Sequence, residues 1–127
     1  MGTRWGLRAF CDKIRRIYVT QQSIMKITKL DHCCLLIEEK GLRILTDPGT
    51  YTTAQDNLES IDIILVTHEH ADHFHIDSVR KILQKNKPII ITNSSVHKLL
   101  AGEAVQEVKI IEDKQSCEIK GVHFSGH

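Results

Sequence analysis

Long apolar segments are absent from this 127-residue sequence, and cysteines are few. No run of about 18 apolar residues occurs, so we expect no transmembrane helix. The four cysteines show no C-x-x-C spacing, and they are too sparse for a disulfide framework. We therefore expect reduced thiols and a cytoplasmic protein, in which the cysteines are small core residues.

A basic surface and a set of stacking aromatic side chains are also missing. Residues 25–127 hold 12 Lys and Arg against 15 Asp and Glu, and the whole chain has one Trp, three Phe and two Tyr. Nucleic-acid-binding proteins usually carry a basic patch, and single-strand binders add aromatic platforms. The composition therefore predicts no nucleic-acid partner and ranks a nuclease function low.

The first 24 residues differ from the rest, because they carry five basic residues and one acidic residue. Between the basic residues, apolar side chains recur at helical spacing, namely Leu7, Phe10, Ile14, Ile17 and Tyr18. We interpret residues 1–24 as a basic amphipathic extension that lies outside the domain. The domain itself comprises residues 25–127. A membrane-surface helix or a transit peptide is the functional alternative for this extension.

From Met25 onward, β-rich runs and helical periodicities follow one another along the chain. The sequence predicts strands around Ile27 and Leu30 and over 34–39, 42–46, 61–66, 88–92, 108–111, 116–119 and 122–124. It predicts one helix over 76–86 and a second that is capped near Asn93 and stops near Gly102. This order of elements predicts an α/β fold in which helices are layered on a sheet.

A cluster of possible metal ligands directly follows the most apolar predicted strand, 61–66. His68, His70, Asp72 and His73 lie within six consecutive positions. Zinc and similar divalent metals prefer imidazole and carboxylate ligands. His68 and His70 are two residues apart in an extended loop, so they can bind one ion, while Asp72 and His73 can serve a second. Two neighbouring ions can share and activate one hydroxide.

The pattern His68-x-His70-x-Asp72-His73 resembles the H-x-H-x-D-H signature of the metallo-β-lactamase superfamily. Residues 25–33 and the segment Thr46-Asp47-Pro48-Gly49 are similar to the start of its lactonase-like branch, which includes uncharacterised zinc-dependent hydrolases. Asp31 departs from the glycine that is frequent in that branch. The resemblance implies an αββα sandwich, of which residues 25–127 form about the first half.

The resemblance also implies roles for individual residues. It makes His68 and His70 ligands of the first metal ion and Asp72 and His73 ligands of the second, and it leaves Glu69 without a metal. Asp72 is the candidate catalytic residue. Asp47 lies behind the ligands and orients a ligand histidine, or it is only a residue of the Asp-Pro-Gly turn. For His32, a plain polar loop position is favoured over a place at the rim of the site.

The implied enzyme uses a metal-bound hydroxide to hydrolyse an ester, lactone or phosphodiester bond of a small-molecule substrate. Its cofactor would be two Zn²⁺ ions in the complete domain, with Mn²⁺ or Fe²⁺ as alternatives. The superfamily's remaining ligands come later in the chain: a third histidine, a bridging acid and a last histidine. His127 is a candidate for the third histidine, although a ligand beyond the end of this chain is slightly favoured.

We therefore expect an incomplete chain in which one apolar face of the sheet is uncovered. Such a face, together with an unpaired sheet edge, favours self-association. The alternative to a hydrolase is a catalytically inactive remnant or an interaction module that retains the metal-binding motif.

Overall fold

The computed structural model of the protein describes residues 24–127, so the predicted amphipathic helix in the extension lies outside the described residues. Eight strands and two helices occur in the described part of the chain. In chain order they are β1 (Lys26–Asp31), β2 (Cys34–Glu39), β3 (Leu42–Thr46), β4 (Ile63–Leu65), α1 (Ile76–Lys85), β5 (Ile89–Thr92), α2 (Ser94–Leu99), β6 (Glu107–Ile110), β7 (Ser116–Ile119) and β8 (Val122–Ser125).

Strands β1 to β6 form one sheet in which spatial order follows sequence order. β1, β2 and β3 are antiparallel neighbours, whereas β3, β4, β5 and β6 run parallel to one another. The carboxyl ends of β3, β4 and β5 therefore share one edge of the sheet. Because β2 runs antiparallel to β3, the turn between β1 and β2 lies at this same edge.

Successive side chains of β4 point to opposite faces of the sheet and enter two separate cores. Ile64 packs with apolar residues of both helices, among them Val79 and Val96. Ile63 packs on the other face with Ile119 and Phe124 of the β7–β8 hairpin. The molecule thus has three layers, which are the helices, the six-stranded sheet and the hairpin. The predicted α/β fold with helices layered on a sheet is confirmed.

The elements begin and end close to the predicted positions. β4 is shorter than the predicted strand 61–66, although the backbone N–H of Asp62 still donates to the carbonyl oxygen of Arg43 at 2.9 Å. The predicted cap of α2 is confirmed, since the side chain of Asn93 accepts from the backbone N–H of Val96 at 2.9 Å. With 10 and 6 residues, the helices of the described chain are too short to span a bilayer.

The second face of the sheet is less open than the sequence led us to expect. Ile44, Ile63 and Ile91 are 3%, 0% and 1% exposed, because the β7–β8 hairpin packs over them. At the outer strand β1, Ile27 is 57% exposed. Exposed apolar side chains thus remain at the outer strands of the sheet, at Ile27 and at Ile110, which is 42% exposed on β6, and self-association through the sheet stays a prediction.

Candidate metal centre

Residues 67–73, which we call the histidine loop, start two positions after Leu65, the last residue of β4, at the edge where the parallel strands end. The loop is attached to the end of β3 by Asp47. The backbone N–H of Asp47 donates to the carbonyl oxygen of Leu65 at 2.8 Å, and the backbone N–H of Thr67 donates to Oδ1 of Asp47 at 2.8 Å. The parallel pairing of β3 and β4 therefore determines where the histidines lie.

The segment that follows β3 packs tightly against the far end of the histidine loop. The backbone N–H of Thr50 donates to the carbonyl oxygen of Ala71 at 3.0 Å. The backbone N–H of His75 donates to the carbonyl oxygen of Pro48 at 2.9 Å. A Cβ atom on Gly49 would overlap the backbone carbonyl of Asp72. Glycine is required at position 49 because the two backbones approach so closely.

Asp47 is buried behind the histidines and contacts two of them, one directly and one through a hydroxyl group. Its Oδ2 lies 3.0 Å from Nδ1 of His73. The hydroxyl of Thr67 lies 3.1 Å from Oδ1 and 3.0 Å from Oδ2 of the same carboxylate, and Nδ1 of His68 lies 3.0 Å from this hydroxyl. One carboxylate thus orients the rings of both His68 and His73.

This network decides which ring nitrogens can bind a metal. The Thr67 hydroxyl donates its one proton to Asp47, so it accepts from Nδ1 of His68, while Nδ1 of His73 faces the Asp47 carboxylate. In this arrangement both Nδ1 atoms carry the protons, and the Nε2 atoms keep free lone pairs. The ring centroids of His68 and His73 are 4.0 Å apart, and those of His68 and His70 are 4.7 Å apart. The structure therefore brings together the three histidines that the sequence singles out.

Asp72 joins this cluster, and its carboxylate is hydrogen-bonded to His32, for which the sequence favoured a position outside the site. Its Oδ2 lies 3.4 Å from Nε2 of His73 and 3.1 Å from Nε2 of His32. The hydrogen bond from His32 lowers the pKa of the Asp72 carboxyl. His32 is thus part of the site, and the preference for a plain polar loop position was wrong. The reason is that the β1–β2 turn meets the histidine loop across 40 positions of sequence.

The other candidate residues lie away from this cluster or at its margin. Glu69 is exposed, and His75, two residues beyond the histidine loop, occupies the N-cap position of α1. His127 is exposed, with Nε2 3.1 Å from the hydroxyl of Ser125. It borders a groove of about 550 Å³ that extends from Thr67 to the end of β8. His127 does not join the ligand cluster in the described structure, and its role as a third ligand stays a prediction.

Thr67 and Cys33 are residues of the site that were not predicted from the sequence: Thr67 had no role, and Cys33, expected in the core with the other cysteines, is only half-buried. The hydroxyl of Thr67 connects His68 to Asp47. The sulfur of Cys33, beside His32 in the β1–β2 turn, lies 3.5 Å from Nε2 of His73. The available signals were the position of Thr67 at the end of β4 and the presence of a second ligand-type residue next to His32.

The donor atoms of the cluster fit a divalent transition metal. Imidazole nitrogens with free lone pairs and an ionised carboxylate are the groups that zinc, manganese and iron bind in proteins. The hydrogen bonds of Asp47 to the opposite side of the ligand rings are typical of metal sites, where a carboxylate behind a histidine fixes its tautomer and orientation. The geometry is therefore compatible with a bound metal.

Comparison with known proteins identifies the class of protein that this fold and site define. Residues 26–127 match the family model of the beta-lactamase superfamily domain. The chain belongs to this family, so the membership in the metallo-β-lactamase superfamily that the H-x-H-x-D-H pattern predicted is confirmed.

Individual relatives resemble the chain over only part of their own length. A UPF0173 protein from Pyrococcus abyssi is 34% identical over 98 residues, which cover 77% of this chain and 45% of the relative. A protein from Salinibacter ruber named UPF0173 metal-dependent hydrolase is 28% identical over 83 residues, which cover 62% of this chain and 36% of the relative. The chain thus spans less than half the length of these relatives.

A solved structure supports the fold independently. The crystal structure of a protein from Parabacteroides distasonis, whose name describes a metal-dependent hydrolase, superimposes with a TM-score of 0.65 at 22% sequence identity. The match covers 80% of this chain and 43% of that one. The likeness shows that this chain shares the fold of that solved structure over the matched part.

Proposed function

We propose that this chain contributes a metal centre to a metal-dependent hydrolase. The observation that supports the proposal most directly is the hydrogen-bond network of Asp47, which leaves Nε2 of His68 and of His73 free, the latter 3.4 Å from the carboxylate of Asp72. A relative in the same family has the name metal-dependent hydrolase, which is consistent with this role.

In this proposal, His68 and His70 hold one ion, and Asp72 and His73 hold a second. Asp47 positions the ligand rings, directly for His73 and through Thr67 for His68. Zn²⁺ suits these ligands best, with Mn²⁺ or Fe²⁺ as alternatives. A metal bound in such a site lowers the pKa of a water molecule and polarises the bond to be cleaved.

The proposed substrate is a small molecule with an ester, lactone or phosphodiester bond. Asp72 is the proposed catalytic residue, because its carboxylate lies at the ligand cluster and the hydrogen bond from His32 favours its ionised form. The thiols of Cys33, Cys34 and Cys117 are free, which supports a reducing compartment such as the cytoplasm. We propose in addition that residues 25–127 form the domain that carries the site.

Metal analysis of the purified chain tests the metal part of the proposal. We expect zinc, manganese or iron at about one ion per chain or more. The double variant His68→Ala/His70→Ala should lose at least the ion that these two residues hold. A matched control is His97→Ala/His123→Ala, which removes two exposed histidines outside the cluster and should keep the full metal content. Equal metal content in both double variants would contradict the proposed ligands.

Hydrolysis by the metal-loaded chain tests the catalytic part. A nitrophenyl ester, a simple lactone and a nitrophenyl phosphodiester represent the three proposed bond classes. We expect turnover of at least one of them, which His97→Ala/His123→Ala retains and Asp72→Asn loses. Metal binding without turnover of any probe would support the alternative of a non-catalytic module that keeps the motif.

A further inference from the structure

The thiol of Cys33 lies beside the proposed second metal site, although the H-x-H-x-D-H pattern does not include it. Its sulfur is 3.5 Å from Nε2 of His73. This nitrogen is the free one, because Nδ1 of the same ring faces Asp47 at 3.0 Å. The sulfur is thus close to the lone pair with which His73 would bind a metal.

Cys33 and its neighbour His32 extend this site to four ligand-type residues. His32, Cys33 and Asp72 each offer one ligand atom, and these three atoms lie within 4.8 Å of one another. Nε2 of His73 lies 3.4 Å from Oδ2 of Asp72. Two residues therefore come from the β1–β2 turn and two from the histidine loop, which are brought together by the fold and not by proximity in sequence.

The two distances from Nε2 of His73 match those between the ligands of a four-coordinate ion. Zinc binds nitrogen, oxygen and sulfur at about 2.0–2.3 Å, so the corners of a tetrahedron around it lie about 3.3–3.8 Å apart. The separations from His73 to Cys33 and to Asp72 are 3.5 and 3.4 Å, and that from His32 to Asp72 is 3.1 Å. The ring centroids of His32 and His73 are 6.4 Å apart, so the His32 ring would have to move toward His73 to complete the set of four.

Other roles for Cys33 explain its surroundings less well. A core role suits the neighbouring Cys34. This residue is 1% exposed, and burial raises the pKa of its thiol to about 12. Cys33 is only half-buried, and its sulfur lies 3.5 Å from Nε2 of His73, so it does not pack as an apolar core residue. A cation between this sulfur and the carboxylate of Asp72 would stabilise the thiolate.

We propose that Cys33 is a thiolate ligand of the ion held by Asp72 and His73, with His32 as the fourth ligand. This inference rests on the proposed metal-binding role of Asp72 and His73. It implies that the second site prefers Zn²⁺ or Co²⁺ over Mn²⁺, because thiolates are soft ligands. It also implies that the described residues alone supply a complete ligand set for one ion.

Cobalt spectroscopy of the whole chain tests the thiolate directly. Co²⁺ bound to a thiolate shows a sulfur-to-metal charge-transfer band in the near ultraviolet, whereas Co²⁺ bound only to nitrogen and oxygen does not. We expect this band in the wild-type chain and its loss in Cys33→Ser and Cys33→Ala. Cys117→Ser is the matched control, because it removes a half-buried thiol of β7 and should keep the band.

Zinc competition against a chromophoric chelator provides a second measurement. Cys33→Ser should weaken zinc binding at least about tenfold, since even residues behind a ligand contribute that much. His68→Ala/His70→Ala should keep the charge-transfer band, because these residues are assigned to the other ion. Thermal melts of each variant test whether the fold is retained. Cys33→Ser is included because it changes the side chain less than Cys33→Ala does.

The possible outcomes separate this inference from the proposed function. Cobalt that binds without a charge-transfer band, or with a band that survives Cys33→Ser, would overturn the thiolate ligand and leave the metal-binding function intact. A wild-type chain that binds neither cobalt nor zinc would overturn both.

Discussion

Asp47 is the residue on which both proposed metal ions depend. Asp47 is 6% exposed, and its carboxylate contacts His73 directly and His68 through the hydroxyl of Thr67. The backbone of Asp47 has a positive φ of 43°, an uncommon conformation for a residue with a side chain. Such conformations persist where the surrounding structure holds them in place, and they are frequent in functional sites.

Asp47→Asn should weaken metal binding while it preserves the shape of the side chain. An amide offers one acceptor oxygen in place of two, so it cannot serve the His73 ring and the Thr67 hydroxyl as the carboxylate does. We expect a loss of about 10- to 100-fold in zinc affinity, measured by chelator competition. Asp113→Asn, which changes an exposed carboxylate, is the control and should bind zinc normally. Equal affinities would show that Asp47 is only a turn residue.

At the scale of single residues, the sequence predicted the ligand-type side chains and missed their partners. The dense spacing of His68, His70, Asp72 and His73 is visible in a short window of sequence. The contacts of Thr67 with Asp47 and of His32 with Asp72 join positions 20 and 40 residues apart. Such contacts depend on which turns the fold brings together, and no local pattern specifies them.

At the scale of elements, the positions of strands and helices were predictable because their signals are local. β-branched runs mark the strands, and apolar residues at three- and four-residue spacing mark α1. The parallel pairing of β3, β4, β5 and β6 was not predicted, because it depends on contacts that are distant in sequence. The parallel alignment of β3, β4 and β5 is what collects Asp47, the histidine loop and Asn93 at one edge.

Gly49→Ala should disturb the contact between the segment after β3 and the histidine loop. The added methyl group would overlap the backbone of Asp72, so one of the two segments must move. We expect the free energy of unfolding to fall by about 1–3 kcal/mol, as for other overpacked sites, and metal affinity to fall as well. Urea unfolding and chelator competition measure the two effects.

The control for this variant is the adjacent residue. Thr50→Ala keeps the backbone hydrogen bond from residue 50 to Ala71 and changes only an exposed side chain. It should match the wild-type chain in both measurements. If Gly49→Ala also matched the wild type, the close approach of the two backbones would not be needed for the site.

At the scale of the whole molecule, the hairpin β7–β8 was the element whose placement the sequence left undetermined. Its two strands were predicted close to where they lie, yet their packing on the sheet was not, because alternation of apolar residues does not reveal the partner surface. Ile119 and Phe124 are both 9% exposed in contact with the sheet. The hairpin therefore provides the second core that the predicted open face lacked.

The stability of the molecule in acid should depend on an ion pair that joins α1 to the segment after α2. Arg80 lies 2.8 Å from the carboxylate of Glu103, and this contact lowers the pKa of Glu103 from its ordinary value of 4.5. The folded chain therefore binds this proton less readily than the unfolded chain. The contribution of Glu103 to stability is full above pH 4.5 and is lost as the pH falls through the lowered pKa.

Glu103→Gln should accordingly reduce stability at neutral pH and make it less dependent on pH in the acid range. Urea unfolding at several pH values between neutral and about 3 measures both effects. Glu118→Gln is the control, since Glu118 is exposed on β7 and has no ion-pair partner among the described residues. If the two variants showed the same pH dependence, the Arg80 contact would not contribute to stability.

The shared use of Asp47 has a consequence for how two metal ions would fill the centre. An ion that orders His73 also immobilises Asp47 and the Thr67 hydroxyl, so part of the entropy cost of ordering His68 for the other ion is already met. Binding of the two ions should then be cooperative, and by thermodynamic linkage each ion must strengthen the other by the same factor. A carboxylate that positions ligands thereby also couples the occupancies of two sites.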